Sequence, residues 1–376
     1  MLAGLVLLIG LLGLLVWLGL TYDPSEGPQT AAVDLPLPAR AAGPTEAGPT
    51  EAPAPQVPIE TANVPAQDTS ESPAPIPAPV ETAHPPQAPS APTGQAPAVV
   101  APQIASSPDA LPTAPDPALV ERSGGGLLPV VGADGRKPWK VYARPFDANN
   151  PRPRIAIIIS GLGQSAAVTE AAIQTLPGSV TLAFNPYGQR LEYWAARARA
   201  AGHEVLVMVP MEPVNYPAND PGPQTLLTTL SAPENRERLN WSLARFPGYV
   251  GVLSLAGSNY TTAPESLRPT LDEIRARGLM FVDMRTSLRS SAFRIAGDIG
   301  VPRAFNNRVI DIQASKDEID RKLDDLVKIA TTSGFAVGVG QPYPATVERV
   351  LAFVRSAEER GLAIAPVSAI ADHQKE

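Results

Sequence analysis

The stretch that decides the fold is Arg154-Ile-Ala-Ile-Ile-Ile-Ser-Gly-Leu-Gly163. It is a short, β-branched apolar run that stops at a small polar residue and two glycines, and a segment with helical patterning follows at residues 164–176. A strand that is buried on both faces needs no polar alternation, so this run predicts a strand of a parallel sheet covered by helices. In such α/β folds the functional site lies at the carboxyl ends of the strands.

The same alternation of strand and helix continues towards the carboxyl terminus. Strands are predicted at 154–160, 179–184, 203–209, 249–254, 279–283, 335–340 and 362–367, with 308–312 as an eighth short strand or edge piece. Helices are predicted at 164–176, 189–201, 233–246, 265–277, 316–332 and 345–360. Ser231-Ala-Pro-Glu234 resembles a capping box, and Gly202, Gly278 and Gly361 follow predicted helices, where a left-handed residue is favoured. Roughly seven βα units predict an α/β fold, a distorted (β/α) barrel of about seven strands.

The amino-terminal stretch at residues 2–20 is apolar and contains no charged residue. At ~1.5 Å per residue it is long enough to cross a hydrocarbon core of ~30 Å, so residues 1–22 are predicted to form a transmembrane helix or signal anchor. A cleaved signal peptide is the alternative, although a basic first region is missing and the apolar core is long.

Residues 23–123 have a different composition, with about 24 of the 44 prolines and almost no aromatic residue. Such a segment buries too little apolar surface to offset its chain entropy, which predicts a disordered, semi-rigid linker. The lead-in segment at 124–153 is expected to pack its aromatic side chains on the main domain. That domain is predicted at 154–370, and 371–376 form a tail.

Bulk composition excludes several classes of function. The formal net charge is −7 and no long basic run occurs, which argues against a nucleic-acid partner. The absence of cysteine excludes disulfides and thiolate metal sites. The only histidines are His84, His203 and His373, so few imidazole ligands are available.

Polar residues just past the predicted strand ends are the candidates for a site. Asp283 ends an apolar run and is close enough in sequence to Arg285 for a charge-assisted pair, so both are predicted to be catalytic. The alternative for Asp283 is a carboxylate that orders its own loop, and Glu212 has the same alternative as a loop cap. The predicted substrate-binding residues are Ser160, Asn185, Glu212, Ser258, Asn259, Thr286 and Gln341.

Four chemistries can be weighed. Gly161-Leu-Gly163-Gln-Ser-Ala166 fits a dinucleotide-binding pattern, but Phe184-Asn185-Pro186 stands where that pattern requires an acidic residue. A zinc site or a serine triad within the domain would depend on His203, which begins a predicted strand and so lies at the wrong end. Carboxylate-only catalysis by Asp283, with Glu212 or Asp311, remains open.

Several segments, in order between residues 154 and 370, resemble the divergent polysaccharide deacetylase family. They are Ile157-Ile-Ile-Ser-Gly-Leu-Gly163, Val180-Thr-Leu-Ala-Phe-Asn-Pro186, Gly202-His-Glu-Val205, Pro210-Met-Glu-Pro213, Gly251-Val-Leu-Ser-Leu-Ala-Gly-Ser258, Val282-Asp-Met-Arg-Thr286 and Gly338-Val-Gly-Gln-Pro342. The resemblance implies a distorted (β/α) barrel related to carbohydrate esterases that remove N-acetyl groups from chitin-like or peptidoglycan sugars. It also implies a divalent metal such as zinc, held by an aspartate and two histidines, with another aspartate as base.

The chain departs from that family pattern at the metal. Ser160-Gly161 replaces a pair of aspartates, and Met208, Leu255 and Gln341 stand where the family has histidines. Neither an alkyl group nor an amide supplies a lone pair comparable to that of imidazole, so no metal ligand and no cofactor are predicted. The retained residues are Asp283, Arg285 and Thr286.

The sequence therefore predicts a protein of polysaccharide or peptidoglycan metabolism that binds glycan with a degenerate metal site. The alternatives are a polysaccharide deacetylase or hydrolase that uses non-standard residues and, less favoured, a nucleotide-binding protein. From the resemblance and the predicted tether we expect an inner-membrane anchor, with the folded domain in the periplasm and the membrane and a glycan as partners.

Overall fold

The structure is a computed structural model, and it describes residues 109–375. Within this range, no helix combines the length and the apolarity that crossing a membrane requires. The predicted membrane helix at 2–20, and the predicted linker as far as residue 108, lie outside the described residues. Both therefore stay predictions.

The core is a sheet of nine parallel strands flanked by helices. A short antiparallel hairpin precedes it, formed by β1 (Val120–Ser123) and β2 (Gly126–Pro129). The strands of the sheet are β3 (Arg154–Leu162), β4 (Thr181–Phe184), β5 (Val205–Met211), β6 (Gly251–Ala256), β7 (Met280–Asp283), β8 (Arg303–Phe305), β9 (Arg308–Val309), β10 (Phe335–Gly340) and β11 (Ala363–Ile364). The helices are α1 (Pro138–Val141), α2 (Ala166–Thr175), α3 (Leu191–Ala200), α4 (Ala232–Leu243), α5 (Pro264–Ala276), α6 (Ala292–Asp298), α7 (Lys316–Ser333) and α8 (Pro344–Ser356).

The strand order brings the two edges of the sheet together. The order is β8-β7-β6-β5-β4-β3-β10-β9, and β11 pairs with the first residues of β3. The two edge strands are consecutive in the chain and are separated only by Asn306 and Asn307. The N–H of Asn306 donates to Asp283 O at 2.8 Å, and the N–H of Asn307 donates to Val337 O at 2.8 Å. One short segment thus joins the edges, which gives the sheet its barrel-like form.

Each central strand is buried on both faces, as the apolar run of β3 predicts. Ala156 and Ile158 belong to an inner cluster with Leu206 and Met208 of β5. The alternating isoleucines of β3, Ile155, Ile157 and Ile159, belong instead to the larger outer cluster between the sheet and the helices. Because both faces are apolar, the strand needs no polar alternation. The prediction of a parallel α/β fold is confirmed.

The predicted helix boundaries are supported by their capping contacts. Ser231 and Glu234 form a reciprocal capping box at the start of α4. Gly202, Gly278 and Gly361 all adopt positive φ angles, as expected of residues that end helices. Helix α7 begins after Ser315, whose side chain accepts from the N–H of Glu318, and ends at Gly334 with φ 88°.

The amino-terminal end of the barrel is sealed by two segments that are distant in sequence. Leu119 and Tyr142, from the region before β3, pack into the inner cluster together with Val367 from the carboxyl-terminal region. Glu204 is fully buried between them and accepts from the N–H of Arg144 at 3.1 Å and the N–H of Ser368 at 3.0 Å. The lead-in segment therefore packs on the domain, as predicted for its aromatic residues.

The structure corrects the predicted boundaries. Residues 109–123 are not part of a linker, because Leu111 and Leu119 are buried and β1 pairs with β2. The last residues are not a free tail, since Gln374 exchanges hydrogen bonds with the backbone of Phe305. Helix α6 and strand β8 were not predicted, and the sheet has nine strands instead of about seven. A strand of three residues is too short to show a period in the sequence.

Candidate functional site

The residues that replace the family's metal ligands meet where β3, β5 and β10 end. Ser160 is fully buried, and its hydroxyl donates to Gly340 O at 3.1 Å. The Nε2 of Gln341 donates to Ser160 Oγ at 3.3 Å, and the N–H of Gly161 lies 3.2 Å from the sulfur of Met208. Leu255, on β6, packs against the same inner cluster. The structure thus brings the predicted site residues Ser160 and Gln341 together.

The amide of Gln341 lies directly beside Gly161. A Cβ atom on Gly161 would lie 2.7 Å from Gln341 Oε1, and the residue has φ 80°. A side chain in this position would be strained and would displace the amide. The position that holds an aspartate in the family is therefore adapted here to a glycine and a neighbouring glutamine.

The carboxylate of Asp311 is hydrogen-bonded to this cluster. Its Oδ2 accepts from the N–H of Gln341 at 2.6 Å and from the hydroxyl of Thr346 at 2.9 Å. Burial raises the pKa of Asp311, while these two hydrogen bonds oppose the shift. The carboxylate thus supports the loop that carries Gln341.

Asp283 and Arg285 order the loop after β7. Asp283 is 2% exposed, and it accepts from the N–H of Arg285 at 2.8 Å and from the hydroxyl of Ser290 at 2.6 Å. The Arg285 guanidinium lies 4.2 Å from the centroid of the Phe305 ring. These contacts suit the loop-ordering alternative, and the catalytic role of the two residues stays a prediction.

Glu212, Ser258 and Asn259 form a second cluster that ties the loop after β5 to the loop after β6. Glu212 accepts from the N–H and the hydroxyl of Thr228 at 2.5 and 2.8 Å, and from Asn259 Nδ2 at 2.8 Å. Ser258 Oγ accepts from the N–H of Val214 at 3.0 Å. Both carboxylate oxygens of Glu212 accept hydrogen bonds from loop residues, as expected if Glu212 caps a loop.

The two remaining predicted residues lie in separate loops. Asn185 Oδ1 accepts from the N–H of Tyr187 at 3.0 Å, which shapes the turn after β4. The hydroxyl of Thr286 donates to Ala256 O at 3.1 Å and links the loop after β7 to the end of β6. All the predicted residues therefore lie at the carboxyl ends of strands, but they form separate clusters and not a single constellation.

The donor set at the family's metal position does not fit a divalent metal. Ser160 supplies a hydroxyl, Met208 a thioether and Gln341 an amide, while Leu255 supplies no donor atom. None of these groups matches the imidazole and carboxylate ligands that zinc prefers. Among residues 109–375, no three His, Cys, Asp or Glu side chains are grouped so that they could hold a metal ion.

His203 lies away from the carboxyl ends of the strands, as predicted. Its ring nitrogens contact Val180 O at 2.8 Å and Ile173 O at 3.3 Å, and the residue is fully buried before β5. Burial lowers the pKa of His203. The side chain therefore acts as a packed polar residue of the amino-terminal end.

The glycines of the dinucleotide-like pattern have packing roles. A Cβ atom on Gly163 would lie 2.5 Å from Leu191 Cδ2, and the N–H of Gly163 donates to Thr169 Oγ1 at 2.9 Å. Gly161 faces Gln341. Close packing thus explains both glycines without a phosphate ligand.

A feature that the sequence did not reveal is the placement of exposed apolar side chains. In the part of the chain that the structure describes, the large hydrophobic residues that are exposed are Val168, Val214, Leu288, Ile312 and Tyr343. They follow β3, β5, β7, β9 and β10, respectively, so all five lie on the loops and first helical turns after the strands. We call this the carboxyl-end face. Two of the five, Leu288 and Ile312, line the same cavity on this face.

Comparison with known proteins supports the family resemblance seen in the sequence. The family model "Divergent polysaccharide deacetylase" matches residues 157–371. A crystal structure of an uncharacterised protein from Agrobacterium tumefaciens is similar, with 39% identity, a TM-score of 0.64, and coverage of 65% of this chain and 99% of that chain.

Two uncharacterised proteins are more distant relatives. One, from Haemophilus influenzae, is 25% identical over 206 residues, which are 55% of this chain and 72% of that protein. The other, YibQ of Escherichia coli, is 25% identical over 198 residues, which are 53% of this chain and 61% of that protein. Because the family model spans more than half of the sequence and the residues that carry the resemblance lie at the strand ends, the chain belongs to the divergent polysaccharide deacetylase family.

Proposed function

We propose that this protein binds a polysaccharide or peptidoglycan glycan of the cell envelope at the carboxyl-end face, without a metal centre of the deacetylase type. One observation carries the proposal. The residues at the family's metal position converge at the end of β3 but present a hydroxyl, a thioether and an amide in place of metal ligands. The scaffold and its loops are retained while the donor set for the metal is not.

The surface around this position supports a binding role. Tyr343, which is 47% exposed, follows Gln341 by two residues and offers an aromatic face to a sugar ring. The amide of Gln341, which is half-buried, offers a polar group to a ligand, and the buried Ser160 hydroxyl accepts from it and so helps to hold it in place. Sites of this kind combine apolar walls with a few well-placed polar groups.

The experiment is a titration of the purified full chain with the β-1,4-linked N-acetylglucosamine hexamer, with and without EDTA. We expect the same affinity in both conditions and no release of acetate. Glycan binding that EDTA abolishes, or acetate release that follows added metal, would overturn the proposal. No binding of any glycan would overturn it as well.

A hydrolase is the second candidate, because Asp311 is a buried carboxylate with a raised pKa at the loop that carries Gln341. In this account Asp311 or Asp283 would act as an acid or base on a bound sugar. Turnover of N-acetylated glycan that is lost in both the Asp311→Asn and the Asp283→Asn variants would favour the enzyme. Absence of turnover in the native chain rejects it.

The proposed location is the periplasmic side of the inner membrane. The support is the apolar stretch at residues 2–20 and the proline-rich composition that follows it. A protease added to spheroplasts tests this proposal, since digestion of the domain in intact spheroplasts is expected. Protection until the membrane is lysed would contradict it.

A further inference from the structure

A cavity of about 350 Å³ lies on the carboxyl-end face, beside the loop that Asp283 orders. Its lining includes Arg285, Asn306, Arg308 and Lys322. The lining is joined to the candidate site, because Asn306 Nδ2 donates to Met284 O at 3.3 Å and its N–H donates to Asp283 O. The cavity is therefore continuous with the motif that this chain retains from its family.

The lining of this cavity is cationic. It includes Arg285, Arg308 and Lys322, and none of its residues is an aspartate or glutamate. Two carboxylates lie behind the cations, Asp325 at 3.8 Å from Arg308 Nε and Glu318 at 3.3 Å from Lys322 Nζ. Glu318 and Asp325 also pair with Arg321 and Lys328, and the Asp283 carboxylate accepts from the N–H of Arg285. These contacts together still hold more cations than carboxylates. This is notable in a chain of net charge −7.

Two of the cationic groups are held in place before any ligand binds. The Arg308 Nη1 donates to Asn307 O at 2.7 Å, and the guanidinium of Arg285 stacks on the ring of Phe305. Stacking uses the face of a guanidinium, whereas carboxylates and phosphates bind to its N–H edge. Preorganised cations lose less side-chain entropy on binding.

The lining also includes two exposed apolar side chains. Leu288 is 91% exposed and Ile312 is 75% exposed, which makes them the two most exposed large hydrophobic residues of the described chain. A sugar ring presents C–H groups on its faces, and an acidic sugar adds an anionic group at its edge. Such a ligand matches a cavity that is lined by both cations and aliphatic side chains.

We propose that this cavity binds the anionic group of an acidic polysaccharide, and so sets the class of glycan that the protein recognises. The inference rests on the proposed function and adds the charge of the ligand to it. The shared chemistry is a carboxylate or phosphate on a sugar. A free acidic peptide is the competing ligand and is an outcome of the test.

The probes are a galacturonate hexamer and phosphorylated mannopentaose, each paired with its uncharged match, the methyl-esterified hexamer and mannopentaose. The full chain is titrated with each at low and at moderate salt. We expect binding of at least one charged probe, at least about tenfold weaker binding of its uncharged match, and weakening by salt. Which of the two charged probes binds shows whether the cavity recognises a carboxylate or a phosphate.

The variant is the double neutralisation Arg308→Gln with Lys322→Gln, and its matched control is Arg122→Gln with Lys137→Gln, two exposed cations from outside the cavity. We expect the first pair to lower the affinity for the charged probe by about tenfold or more and the control to leave it unchanged. Thermal unfolding of both variants verifies that they are folded.

The outcomes separate this inference from the proposed function. Binding of the N-acetylglucosamine hexamer but of neither charged probe would overturn the acidic ligand and leave the proposed function intact. Equal affinity of the Arg308→Gln, Lys322→Gln variant for the charged probe would overturn the cavity as the site. Binding of a poly-glutamate peptide with an affinity equal to that of the charged sugars would overturn the assignment to a glycan.

Discussion

The contact that secures the amino-terminal end of the barrel gives the sharpest stability prediction. Glu204 is fully buried and accepts from the N–H of Arg144, the N–H of Ser368 and the hydroxyl of Ser368. The Glu204→Ala change leaves these three part-buried donors without an acceptor. A fully buried donor without an acceptor costs about 1–3 kcal/mol, and these donors are only part-buried. We therefore expect the free energy of unfolding to fall by about 3–5 kcal/mol, towards the lower end for three donors.

The Glu204→Gln change has a smaller expected effect. The glutamine keeps one acceptor oxygen, but its amide nitrogen then faces a donor, which costs about 1–2 kcal/mol. The assay is urea unfolding of the full chain followed by far-UV circular dichroism. Glu359→Ala, at an exposed position, is the control and is expected to change stability by less than about 0.5 kcal/mol.

The pH dependence of stability follows from the direction in which burial shifts the pKa of Glu204. Burial raises the pKa of Glu204 above its ordinary value of 4.5, so the folded state holds this proton more tightly than the unfolded state. The corresponding stability is fully present below pH 4.5 and is lost as the pH rises through the folded-state pKa. Relative to Glu204→Gln, the native chain is therefore expected to lose stability as the pH rises from 4.5. A Glu204→Ala variant as stable as the native chain would show that the contacts of Glu204 with Arg144 and Ser368 do not stabilise the amino-terminal end of the barrel.

Three further predictions concern single positions. Gly161→Ala is expected to cost about 1–2 kcal/mol in urea unfolding, because φ is 80° and the new Cβ meets Gln341; a change below about 0.5 kcal/mol would contradict this. Ser231→Ala is expected to cost about 1 kcal/mol by removing the capping box of α4, and an equally stable variant would count against that capping contact. Tyr343→Ala is expected to weaken glycan binding by about tenfold while Tyr343→Phe retains it, as isothermal titration would measure; equal loss in both would assign the effect to the hydroxyl and not the ring.

The sequence predicts the fold well where a strand is long and buried on both faces. The run of β3 and the helix α7 with its cap at Ser315 are of this kind, because their signals are local and periodic. Strand β8 and helix α6 are short: β8 pairs with β7, and the ring centroids of Phe305 on β8 and Phe293 on α6 lie 4.9 Å apart. That contact joins separate elements and leaves no local period in the sequence.

The position of the candidate residues at the strand ends was predicted, but most of their contacts were not. The pairing of Ser160 with Gln341 follows from the register of β3 and β10, which sequence spacing cannot give but family motifs indicate. The cationic cavity was missed, because Arg308 and Lys322 come from a two-residue strand and from a helix and converge only in the folded chain. Glu204 was missed as a structural residue for the same reason, since its partners lie 60 and 164 positions away.

The central claim is that the carboxyl-end face binds glycan without a metal of the deacetylase type. The most direct measurement is calorimetric titration of the full chain with the N-acetylglucosamine hexamer and with the galacturonate hexamer, each before and after EDTA treatment, with acetate assayed in the same samples. We expect binding of a glycan with an affinity that EDTA does not change, and no acetate. Binding that disappears with EDTA and returns with zinc, accompanied by acetate release, would contradict it.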